Sequence, residues 1–140
     1  MKLLPIATLV IAGAALAACG TTRDNRYNET AFADTSAPAD SPARYGDTKT
    51  QAISVLKAIE TRLKEHGLGM KDVVYLRAYL VADKNKGNVI DTQGWNDAYG
   101  QFFNNTTNPV KTARSTVGVA ALVNPAWLVE IEAFAVFPPQ

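Results

Sequence analysis

The sequence predicts a domain of the α/β (α+β) class, in which a mixed β-sheet carries two helices on one face. Three observations lead to this prediction. Apolar residues recur at helical spacing after residue 47, and they alternate at strand spacing through residues 71–83. Two runs rich in β-forming residues, 113–122 and 127–137, then complete an order of helix, strand, helix, strand, strand.

The first helix is delimited by residues that favour helix ends. Asp47 or Thr48 can cap the N-terminus, and Gly67 after His66 is a typical stop. Between them one side of the helix is apolar and is formed by Ala52, Leu56, Ile59 and Leu63. We therefore expect that side to be buried.

The following strand has two faces of different character. Alternation places one apolar set beneath the helices, namely Val74, Leu76, Ala78, Leu80 and Ala82. The other face is aromatic and carries an arginine, and it consists of Val73, Tyr75, Arg77, Tyr79 and Val81. This second face fits an interface or a pocket wall.

The second helix is predicted from about Asp91 or Thr92 to about Phe103. Its apolar side is formed by Trp95, Ala98, Tyr99, Phe102 and Phe103. These aromatic residues are expected in the core or at an interface. The step from strand through helix to strand should be a right-handed crossover.

The N-terminus has the composition of a secretory signal. Lys2 precedes an apolar run over residues 3–16, and small residues lead up to Cys19. The position of Cys19 after Leu-Ala-Ala resembles a bacterial lipobox, in which this cysteine is lipidated. Two alternatives remain open. One is an ordinary signal cleaved near Ala18, and the other is a transmembrane anchor, for which the run falls short of about 20 residues.

These features divide the chain into three segments. Residues 1–18 are predicted to be the lipoprotein signal peptide, and 47–140 the folded domain. Residues 19–46 are polar and proline-bearing with few large apolar residues, which predicts a flexible tether. Gly20 after Cys19 resembles lipoproteins sent to the outer membrane, so we expect the protein in the cell envelope, on the periplasmic face of that membrane.

Composition excludes several classes of function. Cys19 is the sole cysteine, so no intrachain disulfide can form and no catalytic cysteine lies elsewhere. The single histidine, His66, rules out a histidine-rich metal site, and we expect neither metal nor cofactor. The formal charge of +1 becomes close to neutral when Lys2 leaves with the signal, which gives no basic surplus for nucleic acid.

Charged side chains in the last two predicted strands form the candidate site. Arg114 and Thr116 share a face of the first, and Glu130 and Glu132 share a face of the second. A guanidinium can hold a carboxylate through two parallel hydrogen bonds, and a glutamate can activate a water. Asn96, early in the second helix, can offer its amide to the same ligand.

Each of these residues also has a purely structural interpretation. Arg114 can serve in an interface ion pair, and Asn96 can hydrogen-bond the start of its helix. Thr116 can be a strand residue with good β propensity. One of the two glutamates can pair with Arg77 across the sheet. The pattern alone leaves both interpretations open.

Two motifs near the C-terminus resemble the signature of the RidA family, also called YjgF. They are Ala-Arg-Ser-Thr-Val-Gly-Val at 113–119 and Leu-Val-Glu-Ile-Glu-Ala at 128–133, and the resemblance extends over about 47–137. It implies a RidA-like, chorismate-mutase-like fold and a homotrimer with sites in clefts between subunits. The implied activity is the hydrolysis of reactive enamines and imines.

The resemblance also implies a role for each candidate residue. Arg114 matches the arginine that binds the substrate carboxylate, and Glu130 matches the acid that handles the attacking water. Asn96 matches a helix asparagine, and Thr116 stands where the family often has cysteine. The implied reaction is deamination of a 2-imino acid such as 2-iminobutanoate or 2-iminopropanoate to the 2-oxo acid, without a cofactor.

The chain departs from the family pattern at its N-terminus. Family members begin with a β-hairpin that supplies an aromatic residue to the pocket, and this hairpin is not recognisable here. Its loss would leave the sheet with an open edge. The alternative function is therefore a non-catalytic trimer that binds small molecules. A role in RNA cleavage fits a near-neutral exported chain poorly.

Overall fold

The computed structural model describes residues 8–14, 36–38 and 41–138 of the 140-residue chain, and for 8–14 it gives the path of the backbone. The principal elements are, in chain order, β1 (Thr8–Ala14), α1 (Pro42–Tyr45), α2 (Thr48–Glu65), β2 (Val73–Leu80), α3 (Thr92–Phe102), β3 (Ala113–Gly118) and β4 (Val129–Val136). Short 3₁₀ turns lie at Met70–Asp72 and Lys84–Lys86.

The strands form one mixed sheet in the order β1-β4-β2-β3. Strands β2 and β3 are parallel and are joined through α3, whereas β4 is antiparallel to both β2 and β1. A parallel pair needs a crossover connection, and α3 supplies it. The predicted α+β class with a mixed sheet and two helices is confirmed.

The helices begin and end where the sequence predicts. The Asp47 side chain accepts a hydrogen bond from the backbone N–H of Thr50 at the start of α2, and Asp91 accepts one from Gly94 at the start of α3. Beyond α2, Gly67 has φ of 72°, a left-handed conformation that residues with a Cβ rarely adopt. Both N-caps satisfy helix N–H groups that otherwise lack partners.

The core lies between the sheet and the two helices. The apolar side of α2 is buried as predicted, and its largest members, Leu56, Ile59 and Leu63, are at most 1% exposed. Burial of each such side chain contributes roughly 1.5–3 kcal/mol. From the sheet, the same core contains Leu76, Ala78, Leu80, Val129, Ile131, Ala133 and Ala135.

The start of β2 differs from the predicted alternation. A register shift between Val73 and Tyr75 marks a β-bulge against β4. As a result Val73 is buried and Val74 is 47% exposed, which reverses the predicted faces of these two residues. An extra residue at a bulge changes which side of the sheet its neighbours occupy. From Tyr75 to Leu80 the predicted faces are correct, whereas Val81, predicted on the aromatic face, lies beyond the end of β2 and packs against the core.

A second apolar cluster lies beside the start of α2. Tyr45, which ends α1, packs with Ala126 and Trp127, and Leu122 lies against them. Tyr45 is only 2% exposed although it precedes residue 47, where the folded domain was predicted to begin. The packed part of the chain therefore includes α1.

Strand β1 lies within the segment predicted to be a signal peptide. It pairs antiparallel with the outer edge of β4 in a continuous register from Thr8 opposite Val136 to Ala14 opposite Glu130. In the described residues the outer edge of β3 has no strand beside it. Cys19 lies outside those residues, so its predicted lipidation stays a prediction.

No helix within the described ranges combines the length and the apolar character needed to cross a membrane.

Candidate functional site

The register of the sheet decides which side chains can meet. Arg114 lies opposite Leu76 in the β2–β3 pair, and Thr116 lies opposite Ala78. Residues directly opposite each other share a face of the sheet. Because Leu76 and Ala78 are buried in the core beneath the helices, Arg114 and Thr116 occupy the helix-bearing face, at the edge strand.

Arg114 is held by side chains of α3. Its Nη2 donates a hydrogen bond of 2.7 Å to Oδ1 of Asn96. Its Cζ lies 4.1 Å from the ring centroid of Tyr99 and 5.6 Å from that of Trp95. Arginine over an aromatic face is an attractive arrangement, so two rings and one amide fix the guanidinium. The structure thus brings together Arg114 and Asn96.

Thr116 joins the same group of residues. The indole Nε1 of Trp95 donates a hydrogen bond of 3.0 Å to its hydroxyl oxygen. Trp95 itself is 1% exposed, whereas Arg114, Asn96 and Thr116 are exposed and open to a ligand. We refer to Arg114, Asn96, Thr116, Trp95 and Tyr99 as the arginine cluster.

Two members of the arginine cluster were not predicted to take part in a site. Trp95 and Tyr99 were predicted only as core or interface residues. They precede and follow Asn96 on α3, and the hydroxyl of Tyr99 donates to the backbone oxygen of Thr112. The sequence did contain a sign of this, because Trp95 and Tyr99 are four residues apart and therefore lie on the same side of α3, towards the strand that carries Arg114.

Glu130 and Glu132 lie on the opposite face of the sheet. Glu130 is opposite Tyr79 and Glu132 is opposite Arg77 in the β2–β4 pair. Neither helix covers this face, which we call the open face. The predicted catalytic pair, Arg114 and Glu130, is therefore not brought together within one chain.

The open face carries a polar network around Glu132. Its carboxylate lies 3.3 Å from Nη1 of Arg77 and accepts a hydrogen bond of 3.3 Å from the hydroxyl of Tyr79. Nearby, Tyr75 donates to the hydroxyl of Ser115 at 2.8 Å. Hydrogen bonding to Ser115 and, next, the Arg77 guanidinium lower the pKa of Tyr75 below its ordinary value.

The two glutamates differ in their surroundings. Glu132 pairs with Arg77, which confirms the structural interpretation for one member of the pair. In the described part of the chain, the Glu130 carboxylate has no hydrogen-bond or ion-pair partner. It is half-buried beside the Tyr79 position and remains available to a ligand or to another chain.

A groove of about 450 Å³ lies elsewhere, between the start of α2 and the turn after β2. It is lined by Ala43, Gly46, Asp47, Asp83, Asn85 and Lys86. Lys86 bridges Asp47 at 3.0 Å and Asp91 at 2.6 Å. None of the predicted site residues lines this groove. Across the described ranges no cluster of acidic, cysteine or histidine side chains is suited to a metal ion.

The fold and the arginine cluster define a class: small α+β proteins that present an arginine at the edge of a mixed sheet. The family model described as Endoribonuclease L-PSP matches residues 26–137. The chain belongs to this family, which is the YjgF/RidA family that its two C-terminal motifs resemble. The match begins upstream of residue 47 and includes the buried Tyr45.

Solved structures of the same family share the fold. The chain is 29% identical to Escherichia coli TdcF, solved with bound serine, with a TM-score of 0.56 over 66% of this chain and 67% of TdcF. It is 32% identical to Rv2704 of Mycobacterium tuberculosis, a YjgF/YER057c/UK114 family member, with a TM-score of 0.54 over 65% and 69% of the two chains. A Vibrio vulnificus structure is 33% identical, with a TM-score of 0.55 over 66% and 67%.

No curated protein sequence matches the chain.

Proposed function

We propose that this protein hydrolyses 2-imino acids and their enamine forms to 2-oxo acids in the bacterial cell envelope. The observation that carries the proposal is the arginine cluster, an exposed guanidinium fixed by Asn96, Tyr99 and Trp95. A guanidinium in this arrangement retains N–H groups for a substrate carboxylate. The serine bound to the related TdcF is a small amino acid of the kind such a cluster would hold.

The reaction needs a water, a base and an acid. With the substrate carboxylate on Arg114, Glu130 removes a proton from the water as its oxygen bonds to the C=N carbon. The nitrogen is protonated, the C–N bond of the tetrahedral intermediate breaks, and the products are the 2-oxo acid and ammonia. The reaction forms a C–O bond, breaks the C–N bond and moves protons, and the carbon keeps its oxidation level, so no redox partner is required.

The site we propose lies between two copies of the chain. Arg114 and Glu130 occupy opposite faces of one sheet, so a ligand that contacts both must lie between Arg114 of one copy and Glu130 of another. The open face combines the aromatic residues Tyr75, Tyr79 and Phe134 with charged side chains, which is the composition of an interface. A homotrimer satisfies this arrangement three times by symmetry.

Mixing two inactive variants tests this arrangement. Arg114→Ala and Glu130→Gln should each abolish most imine hydrolysis, measured with freshly generated 2-iminopropanoate. Co-assembled in equal amounts, they should recover up to about one quarter of wild-type activity, because in random symmetric assembly about one interface in four joins intact Arg114 to intact Glu130.

The matched control mixes each single variant with the double variant, which can form no intact site and should recover nothing. If the two single variants fail to complement in mixed assemblies verified by mass, a site shared between copies is wrong. If purified wild-type protein does not accelerate imine hydrolysis, the deaminase proposal itself is wrong.

A second candidate is a non-catalytic trimer that binds small carboxylates. The observation favouring it is that Glu130 lies away from the arginine cluster in the same chain. Binding of 2-oxobutanoate with thermal stabilisation, but without turnover of imines, would support this candidate. We place either function at the envelope through lipidated Cys19.

A further inference from the structure

In the arginine cluster, the chemistry of each side chain decides which atom donates and which atom accepts each hydrogen bond. Arginine carries donors and no acceptor. The atom of Asn96 that lies 2.7 Å from Arg114 must therefore be its carbonyl oxygen. This fixes the orientation of the amide and leaves the Asn96 NH₂ group as a donor beside the guanidinium.

The same reasoning fixes the hydroxyl of Thr116. An indole N–H can only donate, so at 3.0 Å from Nε1 of Trp95 the Thr116 oxygen must be the acceptor. The hydroxyl hydrogen then has to point away from the indole. Trp95 is 1% exposed and packs against Tyr99, so its ring is a fixed support.

Thr116 follows Arg114 by two residues on one face of β3, a separation of about 6.6 Å along the strand. Both side chains contact the ring of Trp95. The exposed side of the cluster thus presents guanidinium N–H groups, the Asn96 amide N–H and the Thr116 O–H. Among these exposed groups there is no carboxylate or free carbonyl to accept a hydrogen bond.

We infer that Trp95 is a positioning residue that turns the Thr116 hydroxyl into a donor for the ligand carboxylate, so that the cluster selects carboxylates over carboxamides. The inference deepens the carboxylate-binding half of the proposed function and rests on it. A carboxamide presents its NH₂ group to these donors and loses one of the two acceptors that a carboxylate offers. Discrimination of this kind is large when polar groups of a site are left unpaired.

Calorimetric titration of the whole protein with 2-oxobutanoate, the product of 2-iminobutanoate hydrolysis, tests the inference. Thr116→Val keeps the shape and removes the hydroxyl, and it should weaken binding about tenfold. Thr116→Ser restores a hydroxyl and should stay within about threefold of wild type. The carboxamide of the same ligand should bind at least about tenfold more weakly than the carboxylate to wild-type protein.

A double-mutant cycle separates positioning from packing. Trp95→Phe removes the N–H donor and keeps an aromatic ring, and it should weaken binding several-fold in the wild-type background. In the Thr116→Val background the same change should have a much smaller effect, because the hydroxyl it positions is gone and only the contact of its ring with Arg114 is altered. A packing role for Trp95 would weaken binding equally in both backgrounds.

The outcomes are distinct for the two proposals. If the wild-type protein does not hydrolyse imines but binds 2-oxobutanoate in a way that depends on Thr116, the deaminase proposal is refuted and this inference stands. Equal binding by the wild type and Thr116→Val, or equal affinity for carboxylate and carboxamide, would overturn the inference. Absence of any saturable binding of 2-oxobutanoate would overturn it as well.

Discussion

Arg114 and Glu130 occupy opposite faces of the same sheet. The first is opposite buried Leu76 on the helix-bearing face, and the second is opposite Tyr79 on the open face. The two halves of the proposed site, the Arg114 guanidinium for a substrate carboxylate and the Glu130 carboxylate as base, therefore point in opposite directions. Assembly is a chemical requirement for any reaction that uses both.

The two glutamates of β4 should differ in their effect on turnover. Glu130→Gln removes the proposed base and should lower kcat about 10²–10⁴-fold. Glu132→Gln weakens a half-exposed pair with Arg77, and kcat should change by less than about tenfold. Steady-state hydrolysis of 2-iminopropanoate measures both. The assignment of the base to Glu130 would be reversed if the Glu132 variant lost the greater activity.

Gln51 should be among the most important polar residues for stability. It is 2% exposed, donates from Nε2 to the backbone oxygens of Gly46 and Ala126, and accepts at Oε1 from the N–H of Leu128. Gln51→Ala leaves buried backbone groups without partners, so the free energy of unfolding should fall by about 2 kcal/mol or more. Urea denaturation followed by circular dichroism measures this.

The matched control for Gln51 is Gln93→Ala. Gln93 is an exposed glutamine of α3 that donates to Asp97, and its loss should change the free energy of unfolding by less than about 0.5 kcal/mol. Equal losses in the two variants would mean that the hydrogen bonds of Gln51 do not hold α2 to the loop before β4.

The N-cap of α2 should make stability depend on pH. Partial burial alone would raise the pKa of Asp47, but hydrogen bonds from the Thr50 N–H, Lys86 and the Thr50 hydroxyl lower it from 3.8 to about 2. A depressed pKa in the folded state means that the charged form stabilises the fold above pH 3.8. That contribution is lost as the pH falls towards 2.

Asp47→Asn isolates the charge, because asparagine also caps helices well. At pH 7 the variant should unfold more easily than the wild type by less than about 1 kcal/mol, since the pair with Lys86 is partly exposed. Near pH 2 the difference should be much smaller, because the Asp47 carboxyl is then being protonated in the folded state. A difference that stayed constant from pH 7 to pH 2 would contradict a role for the carboxylate charge.

Lipidation at Cys19 is tested in cells of a two-membrane bacterium. The wild-type chain should incorporate labelled palmitate and sediment with membranes. Cys19→Ser should remove the label and release the protein to the soluble fraction, because attachment depends on the thiol. Membrane sedimentation of an unlabelled Cys19→Ser protein would instead support an uncleaved apolar anchor.

Local chemistry made much of the fold predictable. Asp47, Gly67 and Asp91 mark helix ends through their own side chains or backbone preferences, so the helices begin and end as expected. The bulge at Val73 and Tyr75 was not predictable, because it is a property of the pairing with β4. Strand alternation correctly placed Arg114 with Thr116 and Glu130 with Glu132.

Whether the pair Arg114 and Thr116 lies on the same face of the sheet as the pair Glu130 and Glu132 could not be predicted from the sequence. Period two tells which residues of a strand share a face, but the register between strands decides which of those faces coincide. Only the pairing of both strands with β2 reveals that Arg114 and Glu130 point apart. The role of Trp95 was hidden for a similar reason, since an apolar helix face gives no sign of the one N–H that reaches Thr116.

Strand β1 lies in the segment predicted to be a signal peptide, and it belongs to the sheet. Its backbone covers the edge of β4 from Glu130 to Val136. Cleavage before Cys19 would strip this strand away and present a row of vacant backbone donors and acceptors on the same strand that carries Glu130. Such cleavage would change the sheet itself, because the edge of β4 could then pair with a new strand only after proteolysis.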